Sequence, residues 1–234
     1  MTSVTTSYVT AASDTFTGEA TGADLRDHTA DSGGTWFRHS LYAGAMQFSS
    51  AGRVYTPTGE ALYVMGVPPN SSDYTVSALF RFVGAITDVA AGLIGRAVLA
   101  TDTWYAARCN LEIGFDEWQL YRIVNGAPLL LAGAPVTLSQ DSDYQVRLVL
   151  SGTSIRMIVN DTQVLGVNDT EIAAAGYAGL YGSPVAPQVQ TNALGVHLND
   201  FAVQDFVGVT TTSVTTTSAW SHRALPSASW VARA

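Results

Sequence analysis

The sequence contains no lysine, so all eleven of its positive charges are arginines, set against nineteen acidic residues and a net charge of −8. Phosphate backbones are bound mainly through cationic side chains, so an acidic chain with scattered arginines is a poor candidate for nucleic-acid binding. Charged residues make up only 13% of the chain, which is low for the surface of a freely soluble monomer. The low charge fits either a surface that a partner covers in part or an exterior rich in serine and threonine.

The sequence also lacks a second cysteine, a membrane-spanning run, a signal peptide and paired histidines, and each absence excludes a class of protein or site. Cys109 is the only cysteine, so an internal disulfide is impossible and the fold depends on its core. No apolar run reaches the roughly 18 residues of a membrane span, and the N-terminus lacks the basic and apolar regions of a signal peptide. The four histidines do not pair at metal-ligand spacing. We therefore expect synthesis in the cytoplasm, no membrane association, and neither a metal nor a cofactor.

Short alternating runs of apolar and polar residues, broken by turn-forming residues, predict an all-β fold. In the clearest run, Tyr74 to Val83, the even-numbered residues are expected to face a core. Asn125-Gly126 predicts a type I′ hairpin, because both central residues of that turn need a positive φ. Two further turns are predicted at Ser151-Gly152 and Asn160-Asp161. The other clear strands are expected at residues 118–124, 144–150, 155–159 and 198–206.

The two ends of the chain are rich in threonine and share the sequence TSVTT, at residues 2–6 and again at 212–216. Such stretches have strong β propensity but few core-forming side chains. We expect an N-terminal arm at 1–12, a sandwich at 13–206 and a C-terminal arm at 207–234. The arms would either pack on a neighbouring subunit, with Trp220 and Trp230 as anchors, or fold back onto the domain itself.

A set of short motifs recurs in a familiar order: Asp14-Thr-Phe16, DSGGTW ending at Trp36, Asp143 to Leu148, Gly176 to Leu180, and Asn199 to Phe201. Together they resemble the concanavalin A-like lectin/glucanase superfamily in its laminin-G-like and bacteriophage-associated forms. The resemblance covers roughly residues 13–206. It implies an antiparallel two-sheet β-sandwich, a jelly roll, in which the strand at Asp14–Phe16 lies beside the strand at Asp200–Phe201.

Some members of that superfamily are laminarinase-type hydrolases, whose catalytic strand carries E-x-D-x-x-E. The nearest segment here is EIGFDE, from Glu112 to Glu117, with Gly114 in place of the aspartate. A bulge at Gly114 would be needed to bring both glutamates to one face of a strand, and glycine supplies no carboxylate. We expect no enzymatic activity and no catalytic residues; a divergent hydrolase is an alternative, and the glutamates are otherwise ordinary acids at strand ends.

Two sets of residues are candidates for binding. Arg81, Arg147 and Arg156 fall on the strand phase opposite the aliphatic core, so neighbouring strands would align them across one sheet face. Such a row suits acidic sugars or carboxylates of a partner, unless each arginine pairs with a nearby acid. The adjacent pair Trp104-Tyr105 is the best aromatic candidate for a sugar ring, although tryptophans and tyrosines in a sandwich more often pack in its core. The other aromatic candidates are Trp36, Trp118, Tyr121 and Tyr181.

A lectin-like chain without an export signal or a disulfide fits a bacteriophage virion, whose proteins are made in the host cytoplasm and released by lysis. We therefore predict a non-enzymatic virion structural protein, either a capsid decoration or a tail or fibre component. Its expected partners are other virion subunits or copies of itself, with weak adhesion to cell-surface glycans. The alternatives are a stand-alone carbohydrate-binding module and the divergent hydrolase.

Overall fold

The computed structural model describes residues 2–84, 87–184 and 188–213, with the backbone alone for 2–6 and 207–213. Within these residues the chain forms fifteen strands and two short 3-10 helices, Leu25–Asp27 and Leu99–Thr101. None of the described helices is long and apolar enough to cross a membrane. The strands are β1 Thr2–Asp14, β2 Trp36–Arg38, β3 Gln47–Phe48, β4 Val54–Tyr55, β5 Ala61–Met65, β6 Tyr74–Val83, β7 Val89–Val98, β8 Thr103–Glu112, β9 Phe115–Val124, β10 Ala127–Val136, β11 Asp143–Ser151, β12 Ser154–Val159, β13 Thr162–Asn168, β14 Tyr177–Pro184 and β15 Gly195–Ser213.

The strands form two antiparallel sheets. The eight-stranded sheet has the order β13-β12-β11-β6-β15-β4-β3, with β1 also paired to β15, and the seven-stranded sheet has the order β10-β9-β8-β7-β14-β5-β2. The predicted two-sheet sandwich is therefore confirmed. Asp14 of β1 lies opposite Phe201 of β15, which is the pairing of early and late strands that the lectin resemblance implied.

The core lies between the sheets, where the period-2 pattern of the sequence places it. In β6, the even-numbered residues Tyr74 to Phe82 are at most 3% exposed. Most of the odd-numbered residues are half-buried on the opposite face, with Thr75 the exception at 6%. Because successive strand residues point to opposite faces, this single run already fixes which side of the eight-stranded sheet meets the core.

The predicted hairpin turns are confirmed at two places and displaced at a third. Asn125 and Gly126 both have positive φ, at 51° and 76°, and Asn160 and Asp161 follow the same rule at 47° and 62°, as type I′ turns require. The prediction of a turn at Ser151-Gly152 is wrong by one residue. Ser151 still pairs with Ser154, so Gly152 and Thr153 make the turn.

The first and last described residues, Thr2 and Ser213, belong to long strands of the eight-stranded sheet. β1 runs from Thr2 to Asp14 and β15 from Gly195 to Ser213, and the two strands pair along the full length of β1. The proposed boundaries at 12 and 206 fall inside these strands and stay predictions. Trp220 and Trp230 lie outside the described residues.

Candidate ligand-binding site

A pocket of about 270 Å³ opens on the outer face of the seven-stranded sheet, over β8, β9 and β14. Aromatic rings form most of its wall, and two charged side chains of opposite sign face into it. These residues are Tyr42, Glu60, Trp104, Arg108, Tyr121 and Tyr181. The pocket thus combines apolar ring faces with a few polar groups, the usual make-up of a small-molecule site.

The floor of the pocket follows from alternation along β8. Trp104, Ala106 and Arg108 face outward, while Tyr105 and Ala107 belong to the core between the sheets. The register with β9 sets Ala106 directly opposite Tyr121. Because alanine is small, the ring of Tyr121 stands beside open space. The two neighbours Trp104 and Tyr105 do face opposite ways, as the sequence pattern predicted.

Arg108 is held in a fixed position at one wall. Its Nε donates a hydrogen bond to Gln119 Oε1 at 2.9 Å, and Gln119 Nε2 donates in turn to Glu117 Oε2 at 2.6 Å. The guanidinium carbon lies 4.0 Å from the centre of the Tyr121 ring, a distance at which a cation is attracted to an aromatic face. Within the described part of the chain, its two Nη groups have no hydrogen-bond partner. Arg108 is therefore oriented by its neighbours and keeps donors for a ligand.

Gly92 of β7 makes room for this arrangement. It lies opposite Arg108 on one neighbouring strand and opposite Tyr181 on the other. A Cβ atom at Gly92 would come within 2.6 Å of the Arg108 Cβ, closer than side chains tolerate. Replacement of Gly92 by alanine is therefore expected to displace Arg108.

The opposite wall carries an acidic group. Tyr181 Oη donates a hydrogen bond to Glu60 Oε1 at 2.8 Å, and Ser183 Oγ donates to the same oxygen at 3.4 Å. Burial raises the pKa of Tyr181 to about 12, so its hydroxyl stays protonated as the donor in this bond. Glu60 itself is exposed at the end of the loop before β5 and lines the pocket.

A third polar group, Asp102, fixes the aromatic rings. It adopts a left-handed backbone conformation, with φ 46°, and its carboxylate accepts hydrogen bonds from Trp104 Nε1 at 3.0 Å and from Tyr42 Oη at 3.1 Å. Burial, together with the charge of Asp102, raises the pKa of Tyr42. The two rings are 6.4 Å apart and meet edge to face, so the pocket wall is preorganised.

The Trp104 ring is less accessible to a ligand than the sequence suggested. Its side chain is only 4% exposed, because Tyr181 packs against it at 5.6 Å between ring centres and Tyr42 covers its edge. The half-buried rings of Tyr42 and Tyr121 are the aromatic surfaces that a ligand meets. Trp104 lines the pocket and supports those rings.

Comparison with known proteins identifies solved structures with a similar fold. No protein-family model matches the chain, and no curated protein matches it in sequence. Solved lectin-like sandwiches share its fold. The carbohydrate binding module CBM66 from Bacillus subtilis has a TM-score of 0.54 at 17% identity, covering 76% of this chain and 95% of the module. The CBM2 module of the evolved Dit of Lactobacillus casei BL23 phage J-1 has a TM-score of 0.56 at 9% identity, covering 86% and 97%. The alginate lyase Aly36B has a TM-score of 0.52 at 13% identity, covering 84% and 96%.

At these identities the comparisons establish a common fold. They confirm the jelly-roll sandwich that the motif order implied. The three neighbours also show that this sandwich carries both binding modules and an enzyme, so the fold alone does not settle the chemistry. Function has to be argued from the pocket.

Three of the predicted aromatic candidates, Trp36, Trp118 and Tyr105, belong to the core between the sheets and do not reach the pocket. Tyr105 is fully buried; its hydroxyl donates to Asp169 Oδ1 at 2.5 Å and accepts from the Ile172 N–H at 3.2 Å. The phase of β8 that sends Trp104 outward necessarily sends Tyr105 inward.

The three predicted arginines, Arg81, Arg147 and Arg156, share one face, as expected. It is the outer face of the eight-stranded sheet, whereas the pocket lies on the seven-stranded sheet. Arg81 pairs with Asp143 at 3.2 Å, and Arg147 pairs with Asp161, so these two follow the alternative in which each arginine has its own acid. Arg156 has no carboxylate within ion-pair distance in the described chain. The row therefore lies across the sandwich from the pocket and contributes nothing to it.

The EIGFDE segment is a hairpin, and so it differs from the single bulged strand that the hydrolase alternative would need. Gly114 has φ 77° and lies in the turn between β8 and β9. Glu112 ends β8 opposite Phe115, and Glu117 lies on β9 opposite Asn110. Glu112 accepts a hydrogen bond from Asn110 at 2.7 Å, and Glu117 accepts the hydrogen bond from Gln119 that holds Arg108.

Sequence reasoning missed four residues of the site: Tyr42, Glu60, Asp102 and Arg108. Arg108 carried a usable signal, since it shares its strand phase with Trp104 at a spacing of four. Tyr42 and Glu60 come from loops, which have no periodicity to place them. Asp102 is visible only through its hydrogen bonds.

Proposed function

We propose that the protein is a non-catalytic, lectin-like glycan-binding sandwich whose ligand occupies the pocket over β8, β9 and β14. The observation that carries the proposal is Arg108, which Gln119 and Tyr121 orient and whose Nη donors have no hydrogen-bond partner in the part of the chain that the structure describes, in a pocket that Glu60 also lines. A guanidinium and a carboxylate in one small pocket can donate to and accept from neighbouring sugar hydroxyls. The ring of Tyr121 supplies an apolar face for the sugar's C–H groups. The fold shared with two carbohydrate-binding modules supports the same conclusion.

The charges favour a neutral sugar. Among the described residues, Glu60 and Arg108 line the pocket, and the carboxylate of Asp102 lies behind its Tyr42 and Trp104 rings, so a uronic acid or a sialic acid would meet net repulsion. The volume is just below the roughly 300–1,000 Å³ of drug-sized ligand sites, which suits one or two sugar units. We expect a terminal or short neutral glycan.

Replacement of Arg108 by methionine tests the site. A hydrogen bond from a charged group contributes about 1.5–3 kcal/mol, so the affinity for a neutral glycan found on an array should fall roughly 10- to 100-fold. Titration calorimetry measures the loss. The matched control is Arg156→Met, which removes an arginine from the opposite sheet and should leave the affinity unchanged.

Unchanged affinity in the Arg108 variant would refute the pocket as the site, and a loss in the Arg156 control would move binding to the other face. Tyr121→Ala gives a second, independent loss if the ring stacks on the sugar. Mass spectrometry of the bound glycan after prolonged incubation should recover it intact, since we propose binding without turnover.

We also propose that this sandwich serves in a bacteriophage virion, as a capsid decoration or a tail or fibre component. Its fold likeness to the module of the phage J-1 Dit supports this assignment, as do the low charge and the threonine-rich ends of the chain. Mass spectrometry of particles purified from a lysate should detect the chain in constant ratio to the major capsid protein. Its loss from particles during purification would contradict a structural role.

A further inference from the structure

The first and last described strands form a ribbon that leaves the sandwich. β15 pairs with β6 only between Gly195 and Asp205, yet it continues to Ser213 paired with β1. Thr2–Ser7 and Gly208–Ser213 therefore extend past the other strands as a two-stranded ribbon. A two-stranded ribbon alone is marginally stable in water, so a third strand would stabilise it.

The outer edge of β1 is open. Only at Ser13 does another segment take its backbone groups, through two hydrogen bonds with Ser32 at 3.0 and 3.2 Å. From Thr2 to Ala11 no strand among the described residues pairs with this edge. Residues 7–10 are all exposed, with Tyr8 at 50% and Val9 at 55%.

This edge lacks most of the features that keep sheet edges from pairing. Natural edge strands carry lysine, proline or another charge, contain bulges, are very short, or are covered, and of these β1 has only a bulge at Ala11, between the pairs Thr10–Gln204 and Ala12–Val203. The segment from Thr2 to Ser13 has no charged residue, no proline and no glycine. Its threonines and valines instead favour strand pairing.

The other edges of the two sheets are protected. β10 carries Pro128 and Pro135 and a bulge after Leu130, and the nearby β13 has a bulge at Val164 in its pairing with β12. β2 has three residues and β3 has two. Among the described strands, β1 presents a longer outer edge than β2, β3, β10 or β13, and from Thr2 to Thr10 it carries no charge, no proline and no extra residue against β15, which points to a surface available for pairing.

We propose that β1 pairs antiparallel with β1 of a second copy of the chain, so that the two eight-stranded sheets continue into one another. Strand addition needs a partner that has its own open edge, and a second copy supplies an identical one. Antiparallel pairing of the same strand about a two-fold axis closes the assembly as a dimer. The edge of β15 beyond residue 206 is shorter and belongs to the ribbon alone, whereas the edge of β1 continues onto the sandwich.

The dimer would carry two pockets on one rigid body. Two linked sites can raise the apparent affinity for a multivalent glycan surface by about 10²–10⁴ without any new contact. This inference rests on the strand edge and does not depend on what the pocket binds.

Light scattering of the full chain across the micromolar range tests the proposal. We expect twice the 24.7 kDa mass of a single chain. The double variant Ser7→Lys, Val9→Lys places like charges on one face of both copies of β1 and should return the mass to that of one chain. The matched control, Leu129→Lys with Leu130→Lys on the proline-bearing edge, adds the same charge and should stay dimeric.

Cysteine cross-linking provides a second test that does not depend on the charged variant folding. Cys109 is fully buried, so single cysteines introduced from Ser3 to Thr10 report on β1 alone. Oxidation should cross-link efficiently at one position near the axis and weakly at its neighbours. A single-chain mass at every concentration, a dimer that the β1 lysines leave unchanged, or an absence of cross-links along β1 would each overturn the proposal.

Discussion

Replacement of Arg96 by methionine is expected to lower the free energy of unfolding by about 3–5 kcal/mol, the usual cost of breaking a buried charge network. Arg96 is 1% exposed and ties together three loops at one end of the sandwich. Its guanidinium donates to the carbonyl oxygens of Ser72, Ile172 and Gly152 at 2.8–2.9 Å and pairs with Asp73 at 3.4 Å. Methionine fills a similar volume but leaves these carbonyls without a donor.

Urea unfolding followed by tryptophan fluorescence measures the change. Arg147→Met is the matched control, since Arg147 pairs with the exposed Asp161, and surface ion pairs contribute about 0–1 kcal/mol. Equal destabilisation of the two variants would show that the Arg96 network adds nothing beyond its packing. A domain has only about 5–15 kcal/mol of total stability, so the expected loss is large enough to be decisive.

The strands that the sequence predicted best are those with one face buried in the core and the other face partly exposed to solvent. The predicted bounds of β6 match the observed ones, because the strand's period-2 sequence pattern agrees with its burial pattern. β7 is buried on both faces, since its outward residues pack with Trp104 and Tyr181 in a second apolar cluster, and it therefore shows no alternation to recognise. The turns with two positive-φ residues were found because asparagine, aspartate and glycine tolerate that conformation.

The candidate site was predicted only in part, for a related reason. Trp104 was found because it lies on a strand, where its direction follows from its phase. Tyr42, Glu60 and Asp102 lie outside the strands or at their ends, so only the folded chain brings them together. The arginine row was placed correctly on one face, but strand phase cannot tell whether a carboxylate on the neighbouring strand or turn neutralises each charge, as Asp143 and Asp161 do.

The substitution Asp14→Asn is expected to cost about 2–4 kcal/mol, because it leaves a buried donor facing other donors. The Asp14 carboxylate is fully buried and accepts three hydrogen bonds, from Trp36 Nε1 at 2.6 Å, the Phe16 N–H at 2.8 Å and His28 Nε2 at 3.1 Å. The amide group of asparagine can accept at one atom only. The substitution also removes one of the two carboxylates that hold a charge on His28; the other is Glu19, at 3.1 Å.

Asp14 should also set a pH dependence of stability. Burial lowers the pKa of His28. The hydrogen bonds to Glu19 and Asp14 and the charges of these two carboxylates raise it by more than burial lowers it, so the pKa lies above its usual 6.5. A raised folded-state pKa stabilises the fold fully below pH 6.5, and this contribution is lost as the pH rises through the folded-state value. His197 acts oppositely, because burial lowers its pKa and its contribution is lost as the pH falls below 6.5.

The difference between the wild type and the variant isolates His28. The unfolding free energy of the wild type, measured by urea titration on either side of pH 6.5, should fall on the alkaline side more steeply than that of Asp14→Asn. The exposed Asp161 lies in the turn between β12 and β13, at the opposite edge of the eight-stranded sheet from Phe48, whose ring His28 contacts, so Asp161→Asn removes a distant carboxylate as the control and should keep the wild-type slope. Parallel curves for wild type and Asp14→Asn would mean that His28 is neutral in the fold, and that the buried carboxylate holds the Trp36 indole and the Phe16 amide without a charged partner.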